Sequence, residues 1–282
     1  MNPFTPPFHL LRLHDGRVLA VAEYGAAAGR PLIYLHGGGS SRLEPAYADG
    51  HAREQGIRLI GIDRPGFGLS TPDAAMSFQS VGDDLIEAAG LLGIERFGVA
   101  GMSAGGPYAL HLAARHAQRV AMVALINSSM DWFDALAPAP PLFLRLIGGT
   151  MPEFALRFLG RRFKNNPAGV AAHGARLNGW DPDETRFFAD AVREGFRQEH
   201  GVEHFLGEAR RVIRQPWQLD WQQVRCPVLA LCGVQDGAHP YFSAIARRQG
   251  NVSFLEIPGK HQAFINAQNW EAIGRGLKEA LP

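Results

Sequence analysis

The sequence predicts an α/β protein, a doubly wound and mostly parallel sheet interrupted by a helical insertion. Two observations carry that prediction. Short, mostly apolar β-type runs alternate with helical patterns along most of the chain, and strands without polar alternation belong in a parallel sheet covered on both faces. Across residues 131–221 the alternation stops and no strand pattern is visible.

Residues 10–13 and 18–24 flank the turn signal His14-Asp15-Gly16 and read as a hairpin. Apolar runs follow at 31–35 (PLIYL), 58–62 (RLIGI), 97–100 (FGVA), 120–126 (VAMVALI), 228–231 (VLAL) and 252–257 (VSFLEI). Between them, residues 81–92 place Leu85, Ala88, Ala89 and Leu92 at helical spacing, with Ser77 or Ser80 as N-cap. Residues 104–116 and 270–281 have the same character. The insertion opens with Pro138, Pro140 and Pro141 and continues with helical patterns at 154–163 and 185–196. The expected domains are a core at 1–130, a helical cap at 131–221 and the rest of the core at 222–282.

Composition narrows the function. The 282 residues are 46% hydrophobic and 20% charged, with a net charge of +1. A chain this long buries a large core, and near-neutrality argues against a nucleic-acid or membrane partner. The run Arg161-Arg162-Phe163-Lys164 reads as a solvated helix face. No apolar stretch approaches the roughly 20 residues of a spanning helix, and the first residues lack the pattern of a signal peptide. Cys226 and Cys232, placed on one extended strand, would stand about 20 Å apart, beyond the roughly 7 Å a disulfide tolerates. Free thiols point to the cytoplasm. The expected partner is a small-molecule substrate, and a homodimer is left open.

The strongest chemical signal is Gly101-Met102-Ser103-Ala104-Gly105, set between the strand FGVA and a helical pattern. A serine there sits in a sharp strand-to-helix turn, with small neighbours that let backbone pass closely. Its hydroxyl stands at a helix N-terminus, where free N–H groups favour a developing oxyanion. His36-Gly37-Gly38-Gly39-Ser40, after the third strand, is a loop able to supply a second backbone donor. The donors are assigned to Ala104 and Gly38, and His36 to orienting the loop. A nucleophilic serine needs a base and an orienting acid. His261 follows the last strand, with His239 as its competitor. Asp236 follows the strand VLAL, with Asp131 as the alternative acid, while Asp63 reads mainly as turn chemistry. Gly37, Met102, Trp132 and Trp180 are the expected substrate contacts. Cap aromatics such as Phe143, Phe154, Phe158 and Phe163 are further candidates.

These pieces, with DRPGFGLS at 63–70, CPVLALCGVQD at 226–236 and GKH at 259–261, resemble the α/β-hydrolase superfamily over the whole chain except the insertion. The resemblance implies a triad of Ser103, Asp236 and His261, in the Ser…Asp…His order of that fold, and a helical cap after the sixth core strand. Gly259-Lys260-His261 departs slightly from the usual pattern by placing a cation beside the base. A serine at 103 disfavours relatives with an aspartate nucleophile. The implied reaction is acyl transfer to Ser103 and hydrolysis, on esters first. Carbon–carbon bond hydrolases, proline iminopeptidases, lactonases, cofactor-free haloperoxidases and slow-turnover receptors share the apparatus. No metal and no organic cofactor is called for. For an aminopeptidase, Glu199, Glu203 and Glu208 are the acidic cap residues available to hold an amine.

Overall fold

A computed structural model of the chain describes residues 7–137, 153–213, 215–261 and 267–281. Among these residues, eight strands form one sheet in the order β1-β2-β4-β3-β5-β6-β7-β8. β1 (Phe8–Arg12) and β2 (Val18–Gly25) make the antiparallel hairpin, and β2 also pairs antiparallel with β4 (Ile57–Ile62). β3 (Arg30–Leu35), β5 (Phe97–Met102), β6 (Val120–Ile126), β7 (Val228–Gly233) and β8 (Val252–Ile257) continue the sheet in parallel. β5 and β6 are buried at every position, which is why they carry no polar alternation.

Helices cover both faces. α1 (Asp49–Glu54) and α9 (Ala267–Ala280) pack Ala52, Trp270, Ile273 and Leu277 on one side. α2 (Phe78–Leu91), α3 (Gly105–Arg115) and α8 (His239–Arg248) pack Leu85, Tyr108, Leu112 and Phe242 on the other. Ser77 is the N-cap of α2, and Ser80 returns a hydrogen bond to its N–H, so the two candidate caps form one capping box.

Among the described residues, four α-helices lie between β6 and β7: α4 (Glu153–Asn165), α5 (Pro167–Asn178), α6 (Pro182–Gly195) and α7 (Gly201–Ile213). Phe188, Val192, Phe196, Val202 and Leu206 give this layer its own apolar cluster. It docks on the sheet's carboxyl end through both backbone approach and side-chain hydrogen bonds. A Cβ on Gly195 would overlap the carbonyl oxygen of Ser40. Gln198 Nε2 donates to the carbonyls of Phe67, Gly68 and Ser70 at 3.4, 3.2 and 2.6 Å. Pro138, Pro140, Pro141 and Phe143 lie outside the described residues. Among the described residues, no helix is long and apolar enough to cross a membrane. Cys226 and Cys232 are both free and buried.

His111 on α3 stacks on Phe78 with ring centroids 4.5 Å apart, and its Nε2 has no hydrogen-bond partner. Burial pushes its pKa down to about 4. The folded chain therefore holds this ring neutral while the unfolded chain protonates it near 6.5, so stability is present above about pH 6.5 and is lost as pH falls toward 4. His111→Phe should make denaturant-measured stability less steep between pH 6.5 and 4 by about one proton, or ~1.4 kcal/mol per pH unit. An unchanged slope would contradict this.

Candidate active site

β5 ends at Met102, and the chain turns at once into α3. Ser103 occupies that turn with φ +48°, a left-handed conformation that side chains seldom adopt. Such strain persists only where the surroundings over-determine it. Here the surroundings are mostly backbone. A Cβ on Gly101 would lie 2.6 Å from the Gly105 oxygen, one on Gly105 would overlap the Leu35 carbonyl at the end of β3, and one on Gly106 would overlap Ser128 Oγ. Ser103 N–H donates to Ile126 O at 3.1 Å, and Ser103 O accepts from Ser129 N–H at 2.9 Å. The turn is clamped between β3 and β6 with its serine at the carboxyl end of the sheet.

Two further loops arrive there. Asp236 follows β7, and His261 follows β8. The loops touch through glycine, since a Cβ on Gly233 would stand 2.7 Å from Gly259 O. His261 Nδ1 lies 2.9 Å from Asp236 Oδ2, and His261 Nε2 lies 2.7 Å from Ser103 Oγ. An ionised carboxylate only accepts, so Nδ1 carries the proton and Nε2 is left to accept from the serine hydroxyl. Asp236 is buried and its other oxygen accepts from Ala238 N–H at 2.9 Å, which fixes the carboxylate's orientation. Asp131 is engaged elsewhere, accepting from the N–H groups of Phe133 and Trp217 at 3.0 Å each. His239 pairs with Glu256 at 2.9 Å.

The glycine loop lies against the same turn. A Cβ on Gly38 would come within 3.7 Å of Ala104 Cβ, and one on Gly37 within 3.5 Å of Ser103 Cβ. Gly37 N–H donates to both oxygens of the buried Glu44 carboxylate at 3.1 Å. His36 is wholly buried and donates to Gly37 O at 2.7 Å, so it orients the loop; burial and the Arg64 charge push its pKa far below the usual histidine range.

A cavity of about 500 Å³ opens beside Ser103 and His261. Gly38, Ala104 and Trp132 line it, together with Phe163 of α4, and Phe205, Glu208 and Val212 of α7. Three expected substrate contacts are placed elsewhere. Met102 packs beneath the sheet with Trp270, on the face it shares with Ala100; period-two alternation along β5 carries that signal. Trp180 packs inside the cap, 5.0 Å from Phe188. Gly37 stands just behind the cavity wall, its N–H taken by Glu44. Phe154 and Phe158 are exposed, at 74% and 70%. Of the acidic cap residues, Glu203 pairs with Arg157, while Glu208 reaches the cavity with both oxygens bonded to Arg64 at 2.7 and 2.9 Å. Sequence reading did not find Arg64, Glu44 or Phe205. DRPGFGLS marks Arg64's segment, but nothing local marks its partner.

Residues 30–268 match the model of the alpha/beta hydrolase fold family. The chain is 28% identical over 141 residues to an AB hydrolase superfamily protein, YisY, of Bacillus subtilis, covering 50% of this chain and 48% of that one. It is 30% identical over 144 residues to a proline iminopeptidase of Xylella fastidiosa, covering 47% and 46%. The chain thus spans about half the length of these curated relatives. Among solved structures, an esterase from Exiguobacterium antarcticum superposes with a TM-score of 0.73 at 18% identity, over 95% of this chain and 98% of that one.

The packing around the turn makes a paired prediction. Gly105→Ala should destabilise the chain by about 3 kcal/mol, because the clash is with backbone and no rotamer relieves it. Gly90→Ala, exposed in α2 with nothing within 4 Å of its Cβ, should add about 0.5–1 kcal/mol. Urea denaturation of the two variants decides; equal, small effects would contradict the clamp.

Proposed function

The chain belongs to the alpha/beta hydrolase family, and from that premise we propose that it is a serine hydrolase cleaving carboxylic esters of small to medium, largely apolar substrates through an acyl-enzyme. One observation carries the reading. Ser103, His261 and Asp236 stand in hydrogen-bonded series at 2.7 and 2.9 Å at the edge of a cavity with Gly38 and Ala104 in its wall.

His261 Nε2 takes the hydroxyl proton as Ser103 Oγ attacks the ester carbonyl. Asp236 holds the imidazole in the tautomer that allows this and stabilises the imidazolium. The carbonyl oxygen becomes an oxyanion held by the N–H groups of Gly38 and Ala104, each worth roughly 2.7–4 kcal/mol in the transition state. Collapse breaks the bond to the alcohol, which leaves with the proton from His261. Water, deprotonated by His261, then attacks the acyl carbonyl and returns Ser103 to its hydroxyl form. The cavity of about 500 Å³, walled by Trp132, Phe163, Phe205 and Val212, suits an apolar group of modest size. The two free, buried thiols support a reducing compartment, the cytoplasm.

An amine-recognising reading would rest on Glu208 and on the iminopeptidase relative. Both Glu208 oxygens are already matched to Arg64, so the pair presents little net charge to an ammonium group. Esters are therefore favoured over aminoacyl amides.

A panel of p-nitrophenyl esters of increasing acyl length, run beside proline p-nitroanilide, tests this. Short and medium esters should be turned over, a fluorophosphonate should label Ser103, and Ser103→Ala should abolish both. No label and no ester turnover would sink the reading, and faster amide than ester cleavage would move it to the second one. In the same assay Asp236→Asn should lower kcat/KM by up to about 10⁴-fold, while Asp131→Asn should leave it within a few-fold. The reverse pattern would transfer the acid's role to Asp131.

A further inference from the structure

Arg64 directly follows the turn-forming Asp63 after β4 and is wholly buried, yet no step of the reaction above uses it. Its guanidinium donates to Glu208 of α7 through Nε at 2.7 Å and Nη2 at 2.9 Å. Nη1 donates to His36 O, and Nη2 also reaches Gly37 O at 3.3 Å. The guanidinium carbon lies 5.5 Å from the Phe67 ring centroid and 5.2 Å from that of Tyr108. The side chains of the pair are 0% and 1% exposed. A pair buried this deeply is costly to desolvate, and apolar replacements of similar volume are often no less stable. Stability alone does not account for it.

The carbonyl of Gly37 supplies the missing role. Besides Arg64 Nη2, it accepts from His36 Nδ1 at 2.7 Å and from Ser40 N–H at 3.3 Å. The histidine's tautomer is set from the other side, since Arg64 N–H donates to His36 Nε2 at 3.3 Å. The Gly37–Gly38 peptide is trans, so its C=O and N–H point in opposite directions. With the carbonyl drawn toward Arg64 and His36, the Gly38 N–H is turned the other way, toward the cavity that Gly38 lines. A cation on the carbonyl also polarises the peptide and makes its N–H a stronger donor.

We propose that Arg64, held by Glu208 of the cap, is the positioning residue for the Gly38 oxyanion donor, so that docking of α7 completes the oxyanion site as well as covering it. This rests on the serine-hydrolase reading above. It gives the cap a part in the chemistry that the cavity wall alone does not.

The test uses Glu208→Gln and the double variant Arg64→Met with Glu208→Leu, which leaves no orphan charge behind. Five quantities are measured on the full chain: kcat and KM for a p-nitrophenyl ester, affinity for a trifluoromethyl ketone that adds to the serine as an oxyanion, affinity for an unreactive ether of the same shape, and Tm. The double variant should melt cooperatively. Its kcat should fall about 10- to 100-fold, short of the 10²–10³ typical of deleting a donor. Trifluoromethyl ketone affinity should fall by the same factor relative to ether affinity, which reports the altered cavity wall. Glu208→Gln should show the same split to a smaller degree, and it decides the matter if the double variant does not fold. Unchanged kcat and ketone affinity would overturn the proposal. So would an equal loss of ether affinity, which marks a change of pocket shape only. An unaltered chain that neither cleaves esters nor binds the ketone would overturn the functional reading and this inference with it, whereas an active chain with indifferent variants overturns this inference alone.

Discussion

Everything at the candidate site depends on how closely the turn between β5 and α3 approaches its neighbours. At Gly105 the turn meets the carbonyl end of β3 with no room for one carbon atom, and at Gly106 it meets Ser128 after β6. The Gly105 contact is with backbone, which cannot rotate away, and the Gly106 contact is with the Ser128 side chain. They hold Ser103 in a left-handed conformation that a looser turn would abandon, since such strain costs of order 1–3 kcal/mol. The same approach brings the glycine loop after β3 alongside, so that Ser103 and Gly38 are set by one piece of packing.

A second constraint comes from above the sheet. Two core arginines each hold a cap glutamate: Arg42 bridges Asp63 and Glu194 at 2.6 and 2.8 Å, and Arg64 holds Glu208. Asn178 at the end of α5 accepts from Lys260 N–H at 2.9 Å, next to His261. The cap is therefore bonded both to the loop that carries Gly38 and to the loop that carries His261. Its position and the placement of Gly38 and His261 are not independent.

Much of this was legible in the sequence, for a physical reason. Ser103, Asp236 and His261 each follow an apolar strand of a parallel sheet, and side chains at the carboxyl ends of such strands converge. Glycine spacing around Ser103 is dictated by backbone approach, so it too is written locally. The directions of side chains within the insertion were not legible. Trp180 and Trp132 look alike in sequence, yet one fills the cap interior and the other lines the cavity. The Arg64–Glu208 pair joins residues 144 positions apart, and no periodicity links them. Asp63 read as a turn residue; it is also the buried anchor of Arg42.

The account turns on the placement of an oxyanion between Gly38 and Ala104 above Ser103. A crystal structure of the chain after reaction with a small alkyl phosphonate measures it directly. The account predicts phosphorus bonded to Ser103 Oγ, with the phosphonyl oxygen about 2.7–3.1 Å from both the Gly38 and Ala104 nitrogens. An adduct on another residue, or an oxygen turned to solvent with those two N–H groups unengaged, would contradict it.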